Sequence, residues 1–309
     1  MFDFKLCQVY FRDHFVPFAE ASVSIANVAF LYGMGAFTGI RAHYNAADDQ
    51  LYLFRPQDHF KRFRNACKLC MFNQFVQNYS SDRFVQVVVD LLKKNQIKQD
   101  AYLRVSAFVD EESIGVQWNG YKDSLAIFAF PLGDYIPTTG MKCKVSSWRR
   151  VDDNAIPARG KINGAYANTA FAKTEAVLAG YDEALVMDHN GHVVEGSAEN
   201  FFIVRDGVLI TPPVSDNILE GITRSTLLQV AKDAGIPTQE RSIDRTELVY
   251  ADEVILTGTG ARVSPVTQVD HYTIGDGKVG PMATQLQKLY SDIVYGKIPQ
   301  YKDWVTPVY

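Results

Sequence analysis

Up to Phe130 the apolar positions of the chain follow two rhythms. Lys5 to Tyr10, Ser22 to Ile25, Gly35 to Tyr44 and Leu51 to Phe54 are short runs rich in aromatic and β-branched residues, which predicts strands. Pro56 opens a helix running to about Met71, because Phe60, Phe63, Cys67, Cys70 and Met71 recur at helical spacing and define a core face. Ser80 and Ser81 offer an N-cap to a second helix, Arg83 to Lys94, with Phe84, Val87, Val88, Leu91 and Leu92 on one side. Tyr102 to Val109 and Ser124 to Phe130 return to the strand pattern. Together these segments predict a smaller N-terminal α+β domain over residues 1–133.

The rhythm breaks at Pro131-Leu-Gly-Asp-Tyr-Ile-Pro-Thr-Thr-Gly140, where two prolines and two glycines in ten residues predict a linker over 134–140. A larger domain over 141–309 follows. Lys142 to Trp148 reads as a strand, and Ala165 to Ala179 as an alanine-rich helix stopped by Gly180. Glu183 to Asp188, His192 to Glu195 and Phe201 to Arg205 read as strands, with turn signals at Asn190-Gly191 and Asp206-Gly207. A helix follows Gly221-Ile222-Thr223 and ends at Gly235, and Asp244 with Glu247 reads as a capping box. Glu253 to Thr257 and Arg262 to Val266 flank a glycine-rich turn, and a last helix covers Met282 to Tyr295.

Composition narrows the classes. The 309 residues are 47% hydrophobic and 21% charged, which supplies a core and excludes disorder as the main state. Lys+Arg 31 against Asp+Glu 35 leaves a net charge of −4, which argues against a nucleic-acid binder. No apolar run is long enough for a membrane span, and Met1-Phe2-Asp3-Phe4-Lys5 lacks the basic flank and apolar core of a signal peptide. The four cysteines make no disulfide framework. Cys67 and Cys70 form a C-x-x-C, but without a second pair or H-x-x-x-H, and they read as buried thiols of a reduced, cytoplasmic protein. No metal site is expected.

Four features of the second half point to one chemistry. Arg159-Gly160-Lys161-Ile162-Asn163-Gly164 sets a lysine in a glycine-flanked turn before a helix; alone it reads as a surface residue, and with a partner set as an amine able to form a Schiff base. Glu195 stands in Val194-Glu195-Gly196-Ser197-Ala198-Glu199-Asn200, 34 residues further on. Leu219-Glu220-Gly221-Ile222-Thr223-Arg224 opens a helix whose N-terminus suits a phosphate, and Thr257-Gly258-Thr259-Gly260-Ala261 allows close backbone approach to an anion. Each feature alone has an ordinary structural reading. In this order they supply what pyridoxal 5'-phosphate needs: an amine for its aldehyde, an acid beside its ring nitrogen, and donors for its phosphate.

The sequence resembles the class IV (fold type IV) pyridoxal-phosphate aminotransferases, nearest the branched-chain-amino-acid group, from about Val9 to Tyr295. The stretches that carry the resemblance are Leu31-Tyr-Gly-Met-Gly-Ala-Phe-Thr-Gly-Ile-Arg41, Tyr102-Leu-Arg104, Lys161 in its turn, Glu195-Gly-Ser-Ala-Glu-Asn-Phe201, Gly221-Ile-Thr-Arg224 and Gly258-Thr-Gly-Ala261. The resemblance implies a two-domain α+β / α/β fold with the cofactor in the cleft between the domains. It implies that Lys161 is the Schiff-base lysine and proton shuttle, and that Glu195, not Glu199, is the acid at the ring nitrogen. Arg62, Gly221, Ile222, Thr223 and Thr259 would serve the phosphate, Tyr166 the phenolic oxygen, and Leu219 the ring face. Tyr32, Phe37, Gly39, Tyr102, Arg104 and Tyr135 would form an aromatic substrate pocket, and Thr259, Gly260 and Ala261 would hold the α-carboxylate.

Three positions depart from the branched-chain pattern: Thr38 where Glu is common, Val109-Asp-Glu-Glu-Ser-Ile-Gly115 where the loop is usually richer in glycine, and Arg262 where Glu or Gln is commoner. They bear on substrate range. The reading is a homodimer, or a higher homo-oligomer, that exchanges an amino group between L-Leu, L-Ile or L-Val and 2-oxoglutarate in a ping-pong cycle. Small-molecule amino acids and 2-oxo acids are its partners, not nucleic acid or membrane. The rivals are a D-amino-acid aminotransferase, an aminodeoxychorismate-type lyase, and a cofactor-binding homologue without turnover.

Overall fold

The computed structural model describes residues 7–133 and 139–309. Contacts divide the chain into two compact units: Met1–Gly133, Gly160–Gly164 and Ile293–Tyr309 in the first, and Asp134–Arg159 with Ala165–Asp292 in the second. Two segments from the C-terminal half of the sequence thus belong to the first unit, which a division into consecutive blocks does not anticipate. Tyr135 and most of the expected linker lie outside the described residues.

The first unit contains β1 (Gln8–Phe11), β2 (His14–Pro17), α1 (Val28–Tyr32), β3 (Gly35–Asn45), β4 (Gln50–Phe54), α2 (Pro56–Leu69), α3 (Asn73–Asn78), α4 (Ser81–Lys94), β5 (Ala101–Val109) and β6 (Asp123–Pro131). The sheet runs β4-β3-β5-β6-β1-β2, with the strand Val305–Pro307 added antiparallel beyond β4. Pro56 starts α2 in its first turn, and Ser80 caps α4 by accepting from Arg83 N–H. Helices α2, α3 and α4 bury an aromatic layer: Phe63 lies 4.9 Å from Phe75 and Phe60 5.2 Å from Phe84, ring centre to ring centre.

Two expectations fail here. Ser22 to Ile25 is a loop, not a strand: Ser24 turns the chain by bonding Ala26 and Asn27, and Ile25 stays exposed. Asn27 then caps the short α1 through Ala29 N–H. Met71 leaves the core face, because the helix ends at Leu69 and Met71 adopts φ 55° in the open. Cys67 and Cys70 are buried, and burial pushes both thiols up, Cys70 to about 12, which leaves them unreactive.

The second unit contains β7 (Met141–Arg149), α5 (Tyr166–Leu178), β8 (Glu183–Met187), β9 (Val193–Gly196), β10 (Asn200–Arg205), β11 (Val208–Thr211), α6 (Ile222–Asp233), β12 (Thr238–Glu240), α7 (Glu247–Tyr250), β13 (Glu253–Gly258), β14 (Arg262–Val269), β15 (Tyr272–Thr273) and all but the last two residues of α8 (Pro281–Val294). The order is β12-β11-β10-β13-β14-β7-β8-β9, and β9 returns to β10 through Glu195 opposite Asn200. Six strands therefore close into a ring, with Glu195 at the seam. Side chains alternate across it: Leu185 and Val193 join one core, while Ala184, Val186 and Val194 pack with Ala172 and Ala176 of α5. The alanines let that helix lie close. The capping box at Asp244 does not form, because the Glu247 carboxylate is taken by Arg205 and Arg241 instead.

Candidate active site

Lys161 is placed by backbone pairing. Strand β4 pairs only with Ala42–Asn45 of β3, so the earlier part of β3 keeps an open edge. Residues 160–164 use it: Phe37 N–H donates to the Lys161 carbonyl at 2.9 Å, and Ile162 bridges Ala36. The turn lies close enough to the end of α1 that a Cβ on Gly33 would stand 3.2 Å from Gly164 Cα. The Lys161 amine sits 5.2 Å from the centre of the Phe37 ring.

The expected substrate residues of this unit share one sheet face. In the β3–β5 register Phe37 opposes Ser106, Gly39 opposes Arg104 and Arg41 opposes Tyr102. Arg104 lies over Phe37, its Cζ 3.9 Å from the ring centre, and Tyr102 packs on Phe130 at 5.5 Å. Thr38 faces the other way, onto α2. Its hydroxyl is 3.0 Å from His59 Nδ1 and accepts from Arg62 Nη2 at 3.4 Å. The departure at position 38 thus touches the expected phosphate ligand rather than the substrate face. Burial holds the His59 imidazole well below its ordinary value, and Arg62, Arg55 and Lys161 push it the same way.

Tyr32 is not gathered with these residues. It ends α1, and its hydroxyl donates to the Ile114 carbonyl at 3.1 Å. The loop after Val109 is pinned to the start of α1 and the segment before it, with Val28 N–H donating to Glu111 O at 2.9 Å and Ser113 N–H to Ala26 O at 3.2 Å. Ile114 and Val116 stand exposed on it.

In the second unit Glu195 is buried and ringed by donors. Arg150 Nε reaches Oε2 at 2.7 Å, and Asn200 Nδ2 and Leu219 N–H reach Oε1 at 3.0 and 2.8 Å. Asn200 Nδ2 also donates to Leu219 O at 2.9 Å, so Leu219 and the turn into α6 are tied to the acid. Gly221 precedes that helix, and Ile222 and Thr223 begin it, with Thr223 buried. Glu199 is spent on structure: its Oε2 accepts from Ala198 N–H at 3.0 Å and lies against Gly196. Thr259, Gly260 and Ala261 form the turn between β13 and β14, closed by Arg262 at φ 59° and by Thr257 Oγ1 donating to Arg262 O. Tyr166 is the first residue of α5.

The chemistry of this donor set fits pyridoxal 5'-phosphate. A primary amine held by its backbone, a buried carboxylate among N–H donors, an arginine, and a helix N-terminus with a threonine answer an aldehyde, a ring N–H and a phosphate respectively. Sequence reasoning missed Arg150, Asn200 and His59. Asn200 stood within the Glu195 motif, but Arg150 and His59 carry no spacing signal.

Comparison with known proteins matches residues 35–269 to the family described as amino-transferase class IV. A probable branched-chain-amino-acid aminotransferase of Aquifex aeolicus is 42% identical over 99% of this chain and 98% of its own. Among solved structures, the branched-chain aminotransferase of Thermoproteus uzoniensis with norvaline superposes with a TM-score of 0.93 at 39% identity, over 98% of this chain and 99% of that one. The branched-chain amino acid aminotransferase of Thermobaculum terrenum in PLP-form (holo-form) gives a TM-score of 0.92 at 31% identity, over 99% of this chain and 100% of that one.

Proposed function

The chain belongs to the class IV aminotransferases, and from that footing we propose that it exchanges an amino group between L-branched-chain amino acids and 2-oxoglutarate. The observation that carries the substrate range is the sheet face of Phe37, Tyr102 and Phe130 with the guanidinium of Arg104 set over Phe37. An aromatic surface rewards burial of a branched apolar side chain, and one arginine can pair with the distal carboxylate of glutamate.

Pyridoxal 5'-phosphate, when bound, supplies an aldehyde that captures amines and a ring that takes up the electron pair left on the substrate α-carbon. Lys161 presents the amine and moves the proton at its Nζ. Glu195 accepts the hydrogen bond of the ring nitrogen and keeps a proton there. Arg62, Gly221, Ile222, Thr223 and Thr259 bind the phosphate, Tyr166 serves the phenolic oxygen, and Leu219 packs on the ring. The backbone at Thr259, Gly260 and Ala261 orients the α-carboxylate.

The working form is a homodimer, supported by the exposed apolar residues Ile25, Phe30, Leu31, Ile114 and Val116. Four free, buried cysteines support a reducing, cytoplasmic location. Among the described residues no helix is long and apolar enough to cross a membrane. Purified holoenzyme mixed with single L- and D-amino acids tests the reading by its absorbance change. L-Leu, L-Ile and L-Val should react, whereas rapid reaction of D-Ala or D-Glu with none of L-Leu would replace it by the D-amino-acid activity.

A further inference from the structure

The three donors on Glu195 leave a countable remainder. A carboxylate offers about four acceptor positions, two on each oxygen. Oε1 takes Asn200 Nδ2 and Leu219 N–H, and Oε2 takes Arg150 Nε. Among the described residues, Oε1 is filled and one position stays open on Oε2, beside Arg150. We propose that Arg150 and Asn200 are positioning residues that direct Glu195, with a single acceptor position, at the N–H of the cofactor ring. The inference rests on Glu195 being the acid at that nitrogen.

Two consequences follow from the partners. Arg150 is fixed at the end of β7 by its own N–H, which donates to Met187 O at 2.8 Å. It puts a cation on the oxygen that would accept the hydrogen bond of the ring N–H, and so would restrain how firmly the ring keeps its proton. Asn200 acts at the other oxygen and beyond it. Its Nδ2 also holds Leu219 O at 2.9 Å, and its Oδ1 occupies the space beside Gly221, where any Cβ would collide with it. One amide therefore locks the acid to the turn that leads into α6, and the glycine at 221 is what admits it.

The experiment compares holoenzyme of the natural sequence with Arg150→Gln, Arg150→Lys and Asn200→Ala. The readouts are the pH midpoint of the bound cofactor's visible absorption, the melting temperature, and cofactor affinity of the apoprotein. Arg150→Gln should raise the midpoint by about one pH unit, because a cation is removed from the shared oxygen. Arg150→Lys should restore it, and Arg150→Gln should add nothing in a Glu195→Gln background. Asn200→Ala should weaken pyridoxal 5'-phosphate about tenfold and pyridoxal, which lacks the phosphate, less. A merely structural ion pair would lower the melting temperature of the Arg150 variants and leave the midpoint in place, which overturns the proposal. Should Arg150→Gln not fold, unchanged cofactor affinity in Asn200→Ala overturns it equally. An unmoved midpoint in Glu195→Gln itself would instead remove Glu195 from the ring nitrogen.

Discussion

Tyr102 occupies the space that Gly39 leaves by having no side chain. The two residues are diagonal neighbours, since Gly39 opposes Arg104 and Tyr102 opposes Arg41 in the β3–β5 register. A Cβ at position 39 would collide with the Tyr102 hydroxyl and stand 2.8 Å from Cε2. The glycine and the tyrosine therefore form one unit of the substrate face, and the shape of that face depends on both.

Gly39→Ala should move Tyr102 off this position while the strands stay paired. We expect the KM for L-leucine to rise about tenfold, roughly 1.4 kcal/mol of binding, with a small fall in melting temperature. In a Tyr102→Ala background the same substitution should cost much less. Additive losses in the double variant would dissociate the two residues.

Lys161→Ala should abolish the amino-transfer half-reactions and leave the fold in place. The contacts that hold this turn, Phe37 N–H to Lys161 O and Ile162 beside Ala36, are made by the backbone and survive truncation. The check is single-turnover kinetics beside a melting curve. Turnover at the natural rate would reject the lysine assignment, and a collapsed melting temperature would show that the side chain has a structural task.

Glu195→Gln and Glu199→Gln should separate chemistry from structure. The first amide cannot keep the ring nitrogen protonated, so the rate should fall by orders of magnitude. Glu199 spends Oε2 on Ala198 N–H, and its replacement should act on melting temperature. Equal rate losses at unchanged stability would mean that the roles are misassigned.

Long periodic segments were legible from sequence, and the reasons are visible. The helix after Pro56, the Ser80 cap and the paired strands Gly35–Asn45 and Ala101–Val109 each follow from local pattern. Val23 and Ile25 suggested a strand because they are β-branched, but they face outward in a loop where no partner strand passes. Helices as short as Val28–Tyr32 and Asn73–Asn78 do not complete enough turns to show a period. At the site, the glycines flanked Lys161 in the sequence, yet its attachment to Phe37 joins residues far apart along the chain. Arg150 reveals itself only through its partner Glu195.

His59 should make stability fall on the acid side. Its imidazole is buried and held well below its ordinary value of 6.5, by desolvation first and then by Arg62, Arg55 and Lys161. Above pH 6.5 neither folded nor unfolded chain carries this proton. Below it the unfolded chain gains the proton first, so stability drops as pH falls towards the folded-state value, by up to about 1.4 kcal/mol per pH unit. His59→Gln keeps a polar group near Thr38 and does not titrate, so its melting temperature should fall less between pH 7 and pH 5. Parallel curves for the two proteins would exclude His59 as a source of acid sensitivity.

Arg104 should divide the two halves of the catalytic cycle. Its guanidinium lies 3.9 Å over the Phe37 ring, opposite Phe128 in the sheet and two residues from Tyr102. A leucine or valine side chain against these rings gains burial worth about 1.5–3 kcal/mol and needs no charge. The distal carboxylate of glutamate loses its water in the same space, and leaving it there without a cation is costly. A charge-assisted hydrogen bond from Arg104 offsets that loss by roughly 1.5–3 kcal/mol. Arg104→Ala should therefore slow the half-reaction with L-glutamate by about ten- to a hundredfold, while that with L-leucine changes by less than about threefold. Arg104→Lys should recover part of the glutamate rate, since the charge is kept but the flat, forked group is not. Both half-reactions are measurable as single turnovers from the bound cofactor's absorbance. Equal damage to the two would show that Arg104 only packs on Phe37, and the cation for glutamate would then have to be sought on another residue.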